Sequence, residues 1–533
     1  MSCIVDFISS FGARRSARTI SRSSLLAAKI FIVSAACFFL ASCGGSSSQT
    51  PFLNATVGPT QNPLVAQYSV NAGCIGPITV EFGPDTTYGR TTSQYTPAAS
   101  YHPFTIPVAG MRPSTTYHMH LLQECNGQTV STPDTTFTTG VAPLPFPALQ
   151  VTRPNPSAES PGIELIDTIG AASGLEQAFF TDRDGTPIWY YDVGTDNYPF
   201  TFKTLLNGNL VFSIANATTG FTVLREIDLA GNTIREMDIS GLQEKTAAAG
   251  YNFIPASFHH DLLPLDNGHL IVLVFANQAF TDLPGYPGQQ IVQGDQLIDL
   301  DENWNPVWYW NSFDHLDVNR HLNGLPDWTH SNAIVYLPQD GSLLLSMRHQ
   351  SWVLKIDYNN GAGTGNVLWK LGYQGDFAMA EGDDPSLWFS FQHYPSLISQ
   401  DGSQTTLAIW DNGDNRVLDT SGTICGSSGQ PACFSQASIL QLDEGAMVAT
   451  RLWNDVPGGF GFWGGSVSEL SNGNVEFDLN APVVPPSPNV ASEVQEVTQT
   501  GTPSLVWKMD IPLPMNAYRA YRVPSLYPGV TWP

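Results

Sequence analysis

Charge is scarce in this sequence: Lys, Arg, Asp and Glu make up 13% of 533 residues, and 22 basic residues face 47 acidic ones for a formal net charge of −25. Such a balance repels polyanions and excludes nucleic acid as a partner. An anionic substrate would have to be held by a few local cations against that field. The short motifs of several enzyme classes are also missing. There is no CxPxR sequence, no GxSxG elbow, no GxxxxGK[ST] loop and no HExxH helix, and no cysteines have the spacing of a zinc knuckle. These absences exclude a formylglycine sulfatase and a nucleotide-cradling loop, and they weaken a metal-centre reading. Helical stretches are lacking as well, whereas Gly, Pro and Trp are abundant, which predicts an all-β chain of short strands and tight turns.

One long apolar run is present, IFIVSAACFFLAS, and Arg14, Arg15, Arg18, Arg22 and Lys29 precede it. It is too short to anchor comfortably across a membrane and reads as a secretion signal. The run ends in LASC, Leu40 to Cys43, followed by GGSSS, and resembles the bacterial lipobox. Residues 1–42 are therefore expected to be a lipoprotein signal peptide, with Cys43 lipidated and the chain anchored to the cell envelope. No aspartate follows Cys43, which by the same resemblance favours the outer membrane, facing the periplasm or the cell surface. Of seven cysteines, Cys3 and Cys37 leave with the signal and Cys43 carries lipid. Four remain in an oxidising compartment, and we expect Cys74 to pair with Cys125 and Cys425 with Cys433, each pair inside one structural unit.

Residues 43–60 read as a flexible tether. Residues 61–140 read as a small β-sandwich, because MRPSTTYHMHLLQE followed by TPDTTFTTG is similar to the end of a fibronectin type III-like domain, with Tyr117 at the tyrosine corner. His118 and His120 alternate with apolar neighbours there, as on a solvated strand face. A proline-rich linker, 141–151, follows. Beyond it a repeat sets the architecture. A turn and a tryptophan-rich strand recur six times, as GTPIWYYD, GNTIREMD, NPVWYWN, GNVLWKLG, AMVATRLWN and TPSLVWKMD. A second hairpin signal recurs between them, in LLNGNL, PLDNGHL, PQDGSL, SQDGSQ and LSNGNV. Repeated antiparallel units of this length predict a six-bladed β-propeller over 152–533.

Three repeats place histidine shortly before the Asn-Gly or Asp-Gly hairpin: His259 and His260 in FHHDLLPLDNG, His330 in WTHSNAIVYLPQDG, and His393 in FQHYPSLISQDG. Equivalent places in successive blades converge on one axis. Arg348 follows His330 on the other arm of its hairpin, where the apolar strand SLLLSM runs into Arg348, His349 and Gln350. Imidazoles at a channel mouth can act as nucleophile, general base or metal ligand, and Asp261 can assist the last. A guanidinium suits a sulfate, phosphate or carboxylate and disfavours a bound cation.

The motifs HHD, DWTHSNAI with SMRHQS, FSFQHYP, WDNGDNR and AYRAYRVPSLYP resemble the bacterial arylsulfate sulfotransferases over roughly Thr152 to the end. The resemblance implies transfer of a sulfuryl group from an aryl sulfate donor to a phenolic acceptor, without nucleotide or other cofactor. It implies that His393 becomes sulfated, that His330 and Arg348 hold the sulfuryl oxygens, and that either His259 or His260 completes the site. HHD aligns to HSN by its first histidine and to QHY by its second, so that register stays open. Trp328, Phe389, Phe391 and Tyr394 can stack on a phenol or serve in the core. The family can carry a short disulfide loop near the site, but here Cys425 and Cys433 follow the His393 motif, and no role in the pocket is assigned to them. Two other readings remain: a lipid-anchored propeller binding glycan or protein partners, and a His/Arg lyase acting on uronic-acid polymers. The sequence leaves monomer or homodimer open. Replacement of Cys43 by alanine (Cys43→Ala) is expected to release the protein from membranes; retention in the membrane fraction after that change contradicts the anchor.

Overall fold

The strand SLLLSM, Ser342–Met347, is buried at every position, a pattern that a half-exposed strand cannot have. Its side chains alternate between two cores. Leu343, Leu345 and Met347 pack with Ile271, Leu273 and Leu297 of the preceding sheet, whereas Leu344 packs with Leu407, Ile409 and Leu440 of the following one. A sheet that is apolar on both faces must be sandwiched between neighbours.

The computed structural model of the chain describes residues 53–99, 102–141, 146, 148–169, 177–480 and 490–533. The signal segment, Cys43 and the first part of the expected tether lie outside them. The described structure is all-β, with antiparallel sheets of which none closes on itself. From residue 150 onward there are six sheets of four or five strands. Sheet one holds Ile163–Ile169, Gln177–Thr181 and Pro187–Asp192; sheets two to six begin with the lead strands Asn197–Thr204, Pro255–Pro264, Ser331–Leu337, His393–Asp401 and Ser466–Glu469. Five lead strands contact one another in succession, and the fifth also meets Asn516–Val523.

The six tryptophan-type motifs lie in the fourth strands of sheets two to six and in the last of sheet one's own consecutive strands, Pro187–Asp192. The five Asn-Gly or Asp-Gly signals join lead and second strands, and at each the glycine alone has positive φ: Gly208, Gly268, Gly341, Gly402 and Gly473. There is no sixth hairpin because the edge strand of sheet one is the C-terminal strand Asn516–Val523, which pairs with Ile163–Ile169. In return, Gln150–Thr152 adds a fifth strand to sheet six through Leu505–Pro512. Arg522 secures this junction, meeting Glu164 of sheet one at 2.5 Å and Glu476 and Glu496 of sheet six at 3.1 and 2.5 Å.

The expected tether gives way at Leu53, where Leu53–Pro59 pairs with Ala66–Asn71, and the expected linker ends in the strand at Gln150. Residues 53–138 form a three-stranded and a five-stranded sheet, and the Tyr117 hydroxyl accepts a hydrogen bond from the Arg112 N–H at 3.0 Å. His118 and His120 lie against Asp134 and Glu81 at 2.9 and 2.7 Å. This region has no core to itself. Val65, Phe82 and Met119 belong to one apolar cluster with Phe180, Phe212 and the C-terminal Trp532. Trp532 crosses Phe82 edge-on, with ring centroids 5.9 Å apart, and donates its indole N–H to the Thr91 carbonyl at 3.0 Å. Both expected disulfides are present, Cys74–Cys125 and Cys425–Cys433. Among the described residues no helix is long and apolar enough to cross a membrane.

Removing the Trp532 ring deletes contacts on both sides of this shared core. Trp532→Ala is expected to cost about 3–5 kcal/mol, as large-to-small changes of aromatic core residues do. A lowered urea midpoint checks this, with near-UV circular dichroism reporting the aromatic packing.

Candidate functional site

Four lead strands break register at a similar level: between Phe200 and Lys203, Phe258 and Leu262, Ser331 and Ala333, and His393 and Ser396. Within three of these breaks a non-glycine residue takes a left-handed backbone, Thr201 at φ +40°, His260 at +50° and Tyr394 at +42°, and in the remaining strand the residue just before the break, His330, does so at +49°. Such conformations cost of order 1–3 kcal/mol each and persist only where the surroundings enforce them. Bulges of this kind re-aim side chains that regular pleating would send alternately into two sheet faces.

The bulges decide the open histidine register. Matched by the left-handed residue, His260 corresponds to His330 and Tyr394, and His259 corresponds to His393; neither sequence alignment of HHD had this pairing. His260 is half-buried, with its ring 4.6 Å from that of His330 and 5.9 Å from that of Tyr518. His259 lies behind it, stacked on Phe275 at 3.5 Å, with its Nδ1 2.8 Å from His260 Nδ1. The Asp295 carboxylate stands 3.4 Å from His259 Nε2. Burial, followed by the charge of His330, holds His259 down at about 3 and His260 well below the usual imidazole range.

His393 is buried, and its proton can be placed by its partners. Asn412 donates its amide to the carbonyls of Gly461 and Gly464 at 2.7 and 3.1 Å, so its oxygen is the atom 2.7 Å from His393 Nδ1. Nδ1 therefore carries the hydrogen, and the lone pair is on Nε2, which the Gly464 N–H approaches at 3.3 Å. Burial first, then Arg348, keeps this imidazole neutral, well below its ordinary pKa.

Arg348 is not on a lead strand. It begins a short 3-10 turn, Arg348–Gln350, after the second strand of sheet four, and its N–H donates to the His330 carbonyl at 3.2 Å. One guanidinium nitrogen lies 2.8 Å from His349 Nε2, another donates to the Phe462 carbonyl at 2.7 Å, and buried Nε has no partner among the described residues. The structure thus brings His260, His330, Arg348 and His393 into one cluster, with His259 as its backing.

His349, Asp327, Asn412 and Arg519 were given no part by sequence reasoning, although all four fall inside motifs quoted for the family resemblance. His330 Nδ1 is 2.5 Å from an Asp327 carboxylate oxygen. Arg519 is fully buried and binds Asp261 at 3.1 Å and the Asn332 carbonyl. Asp261 is therefore occupied, since it also accepts from the Ile334 N–H at 2.9 Å. Asp327, His330 and His349 have donor atoms within 4.8 Å of one another, a spacing open to a metal ion. The chemistry argues against one. His349 Nδ1 donates to the Asp327 carbonyl at 2.8 Å, and its Nε2 faces the Arg348 guanidinium, which repels a cation.

A cavity of about 510 Å³ adjoins the cluster. Phe389 and Phe391 line it, as does Ile424 beside the Cys425–Cys433 loop, but none of the five candidate His and Arg residues does. Trp328 is core, stacked on Phe313, and Tyr394 stacks on Tyr521. Asp414 lies 3.9 Å from the Arg348 guanidinium, and burial pushes its pKa up to about 7, against the opposing pull of Arg348.

Below pH 7 Asp414 is neutral and the Arg348 charge is free for an anion; above it the carboxylate competes. Sulfate affinity measured by calorimetry is expected to fall between pH 6 and pH 8 beyond what free sulfate shows with an unrelated site, and Asp414→Asn is expected to flatten that fall.

A profile of the arylsulfotransferase (ASST) family matches residues 150–522. No curated protein matches the sequence. Among solved structures, a protein of unknown function from Bacteroides caccae is 12% identical, with 68% of this chain and 98% of that one covered at a TM-score of 0.38. A quinoprotein alcohol dehydrogenase-like protein from Bacteroides thetaiotaomicron is 9% identical, with 72% and 92% covered at a TM-score of 0.20. The family match spans all six sheets from Gln150 nearly to the end of the closing strand, and it includes every residue of the histidine and arginine cluster: this chain belongs to the arylsulfotransferase family.

Proposed function

We propose that the protein moves a sulfuryl group from an aryl sulfate to a phenol in two steps through His393. The observation that carries this reading is the neutral His393 with its hydrogen fixed on Nδ1 by Asn412, which leaves the lone pair on a buried Nε2 that accepts a long hydrogen bond, 3.3 Å, from the Gly464 N–H. In the first step Nε2 attacks sulfur, the N–S bond forms as the bond from sulfur to the aryl oxygen breaks, and the electron pair leaves on the phenolate. In the second step the acceptor oxygen attacks sulfur, the N–S pair returns to Nε2, and the phenolic proton passes to His260. Both transition states are loose, with charge on the peripheral oxygens, so cationic and hydrogen-bond donors matter most. In this reading Arg348, whose Nε–H has no partner among the described residues, and His330 supply them. His259 and Asp295 orient His260.

The fold in this reading is a six-bladed propeller closed by Asn516–Val523, with a fibronectin type III-like sandwich at the N-terminus. The sequence of contacts between lead strands and the Tyr117 hydrogen bond support it. The lipid anchor at Cys43 belongs to the same proposal, as does an outer-membrane location.

Mixed with para-nitrophenyl sulfate and no acceptor, the wild type is expected to release about one phenol per enzyme and gain a sulfuryl mass on the peptide holding His393, as a covalent route requires. His393→Ala is expected to do neither. Arg348→Ala keeps the nucleophile and is expected to slow the step by roughly 3 to 4 kcal/mol, the scale of a lost oxyanion donor. Full activity in His393→Ala, or added mass on another histidine, overturns the assignment.

A further inference from the structure

The cavity of about 510 Å³ beside the cluster has a composition at odds with the rest of the chain. Among the described residues lining it none is acidic, in a protein with 47 acidic residues, and one is Arg320. That guanidinium lies flat on Trp352 at 3.6 Å, and one of its nitrogens donates to the carbonyl and side-chain oxygens of Gln350 at 2.8 and 2.7 Å. Its other terminal nitrogen is buried without a partner, and Arg320 meets no carboxylate among the described residues. Burial alone pulls its pKa down to about 10. A half-buried cation lacking a counter-charge gains most from an anion that brings its own hydrogen-bond acceptors.

The remaining wall favours a planar ring. Tyr373, Trp388, Phe389 and Phe391 all face the space. Phe391 is also the partition between cavity and cluster, because the Arg348 guanidinium lies 4.9 Å from its ring and the His349 ring 5.7 Å from it. It stands at φ +54°, with its N–H donated at 3.2 Å to the hydroxyl of Ser351, which is itself at φ +48° and lines the cavity. Two adjoining left-handed residues, neither of them glycine, at the wall between two spaces mark a backbone held there by its surroundings.

We propose that this cavity binds an aromatic anion, so that the substrates the enzyme prefers are phenols carrying a second acidic group, whose carboxylate or sulfate pairs with Arg320. This rests on the sulfuryl-transfer reading for the identity of the bound molecule as substrate. The binding itself does not.

The test uses the full chain and titrates para-hydroxyphenylacetate and its neutral amide by calorimetry. The acid is expected to bind wild type at least about tenfold more tightly than the amide, the lower bound for a charged hydrogen bond. Arg320→Gln is expected to abolish the difference. Asn415→Asp adds a negative charge to the cavity wall without disturbing the packing of Arg320 on Trp352, and is expected to weaken the acid but not the amide. If Arg320→Gln fails to fold, Asn415→Asp decides. Equal binding of acid and amide by wild type, or an acid preference that survives the charge change, overturns the proposal. Arg320-dependent acid binding in a protein that transfers sulfuryl to no phenol leaves the cavity standing and removes the reaction.

Discussion

The fold depends on the C-terminal strand Asn516–Val523 closing the row of sheets onto its first member. Strands such as Ser342–Met347 are apolar on both faces, so each sheet needs a neighbour on either side. A row of such sheets has two uncovered ends, and pairing Asn516–Val523 with Ile163–Ile169 covers both at once. The junction contains a buried arginine between three carboxylates. Burial and the adjoining acids raise Glu476 well above its ordinary range, against the opposing pull of Arg522. Loss of one partner from such a set typically costs 3–5 kcal/mol, roughly, because it leaves charge stranded in the interior.

The same strand builds the site. Tyr518 and Arg519 lie on it, and Arg519 spans from Asp261 on the lead strand of sheet three to the Asn332 carbonyl on that of sheet four. Three sheets that are distant in sequence are thereby tied at one depth, where the bulged lead strands direct His260, His330 and His393. The histidine and arginine cluster is held from three sheets at once. Burial dominates the electrostatics there, and with Arg519 nearby it holds His260 and His393 well below the ordinary imidazole pKa. In the proposed reaction a neutral imidazole is what a nitrogen nucleophile needs, and the same arginines would serve an anionic sulfuryl group.

Much of this was legible because repetition makes local signals additive. The tryptophan-type strands and the Asn-Gly or Asp-Gly turns each recur with their own turn chemistry, and they marked last and second strands correctly. The absence of a sixth turn was also a signal, since closure by the chain end leaves no hairpin to connect. The register of His259 and His260 was not legible. A left-handed residue inside a bulge shifts which side chain faces inward, and His260, Thr201 and Tyr394 share that backbone state without sharing chemistry. Asn412 lay in a quoted motif, yet its role rests on two carbonyls, Gly461 and Gly464, that come from another sheet's approach.

The amino-acid order by itself determined the all-β character, the number of repeats, and the pairing of Cys74 with Cys125 and of Cys425 with Cys433. These follow from turn-forming dipeptides, strand periodicity and composition, which act over a few residues. Only the tertiary structure decided that residues 53–138 share their core with the rest, that His259 stands behind His260, and that Arg320 meets no carboxylate among the described residues. Those properties depend on which distant groups meet when both faces of every sheet are covered. Burial and pairing are set by contacts across hundreds of residues, to which local pattern is blind.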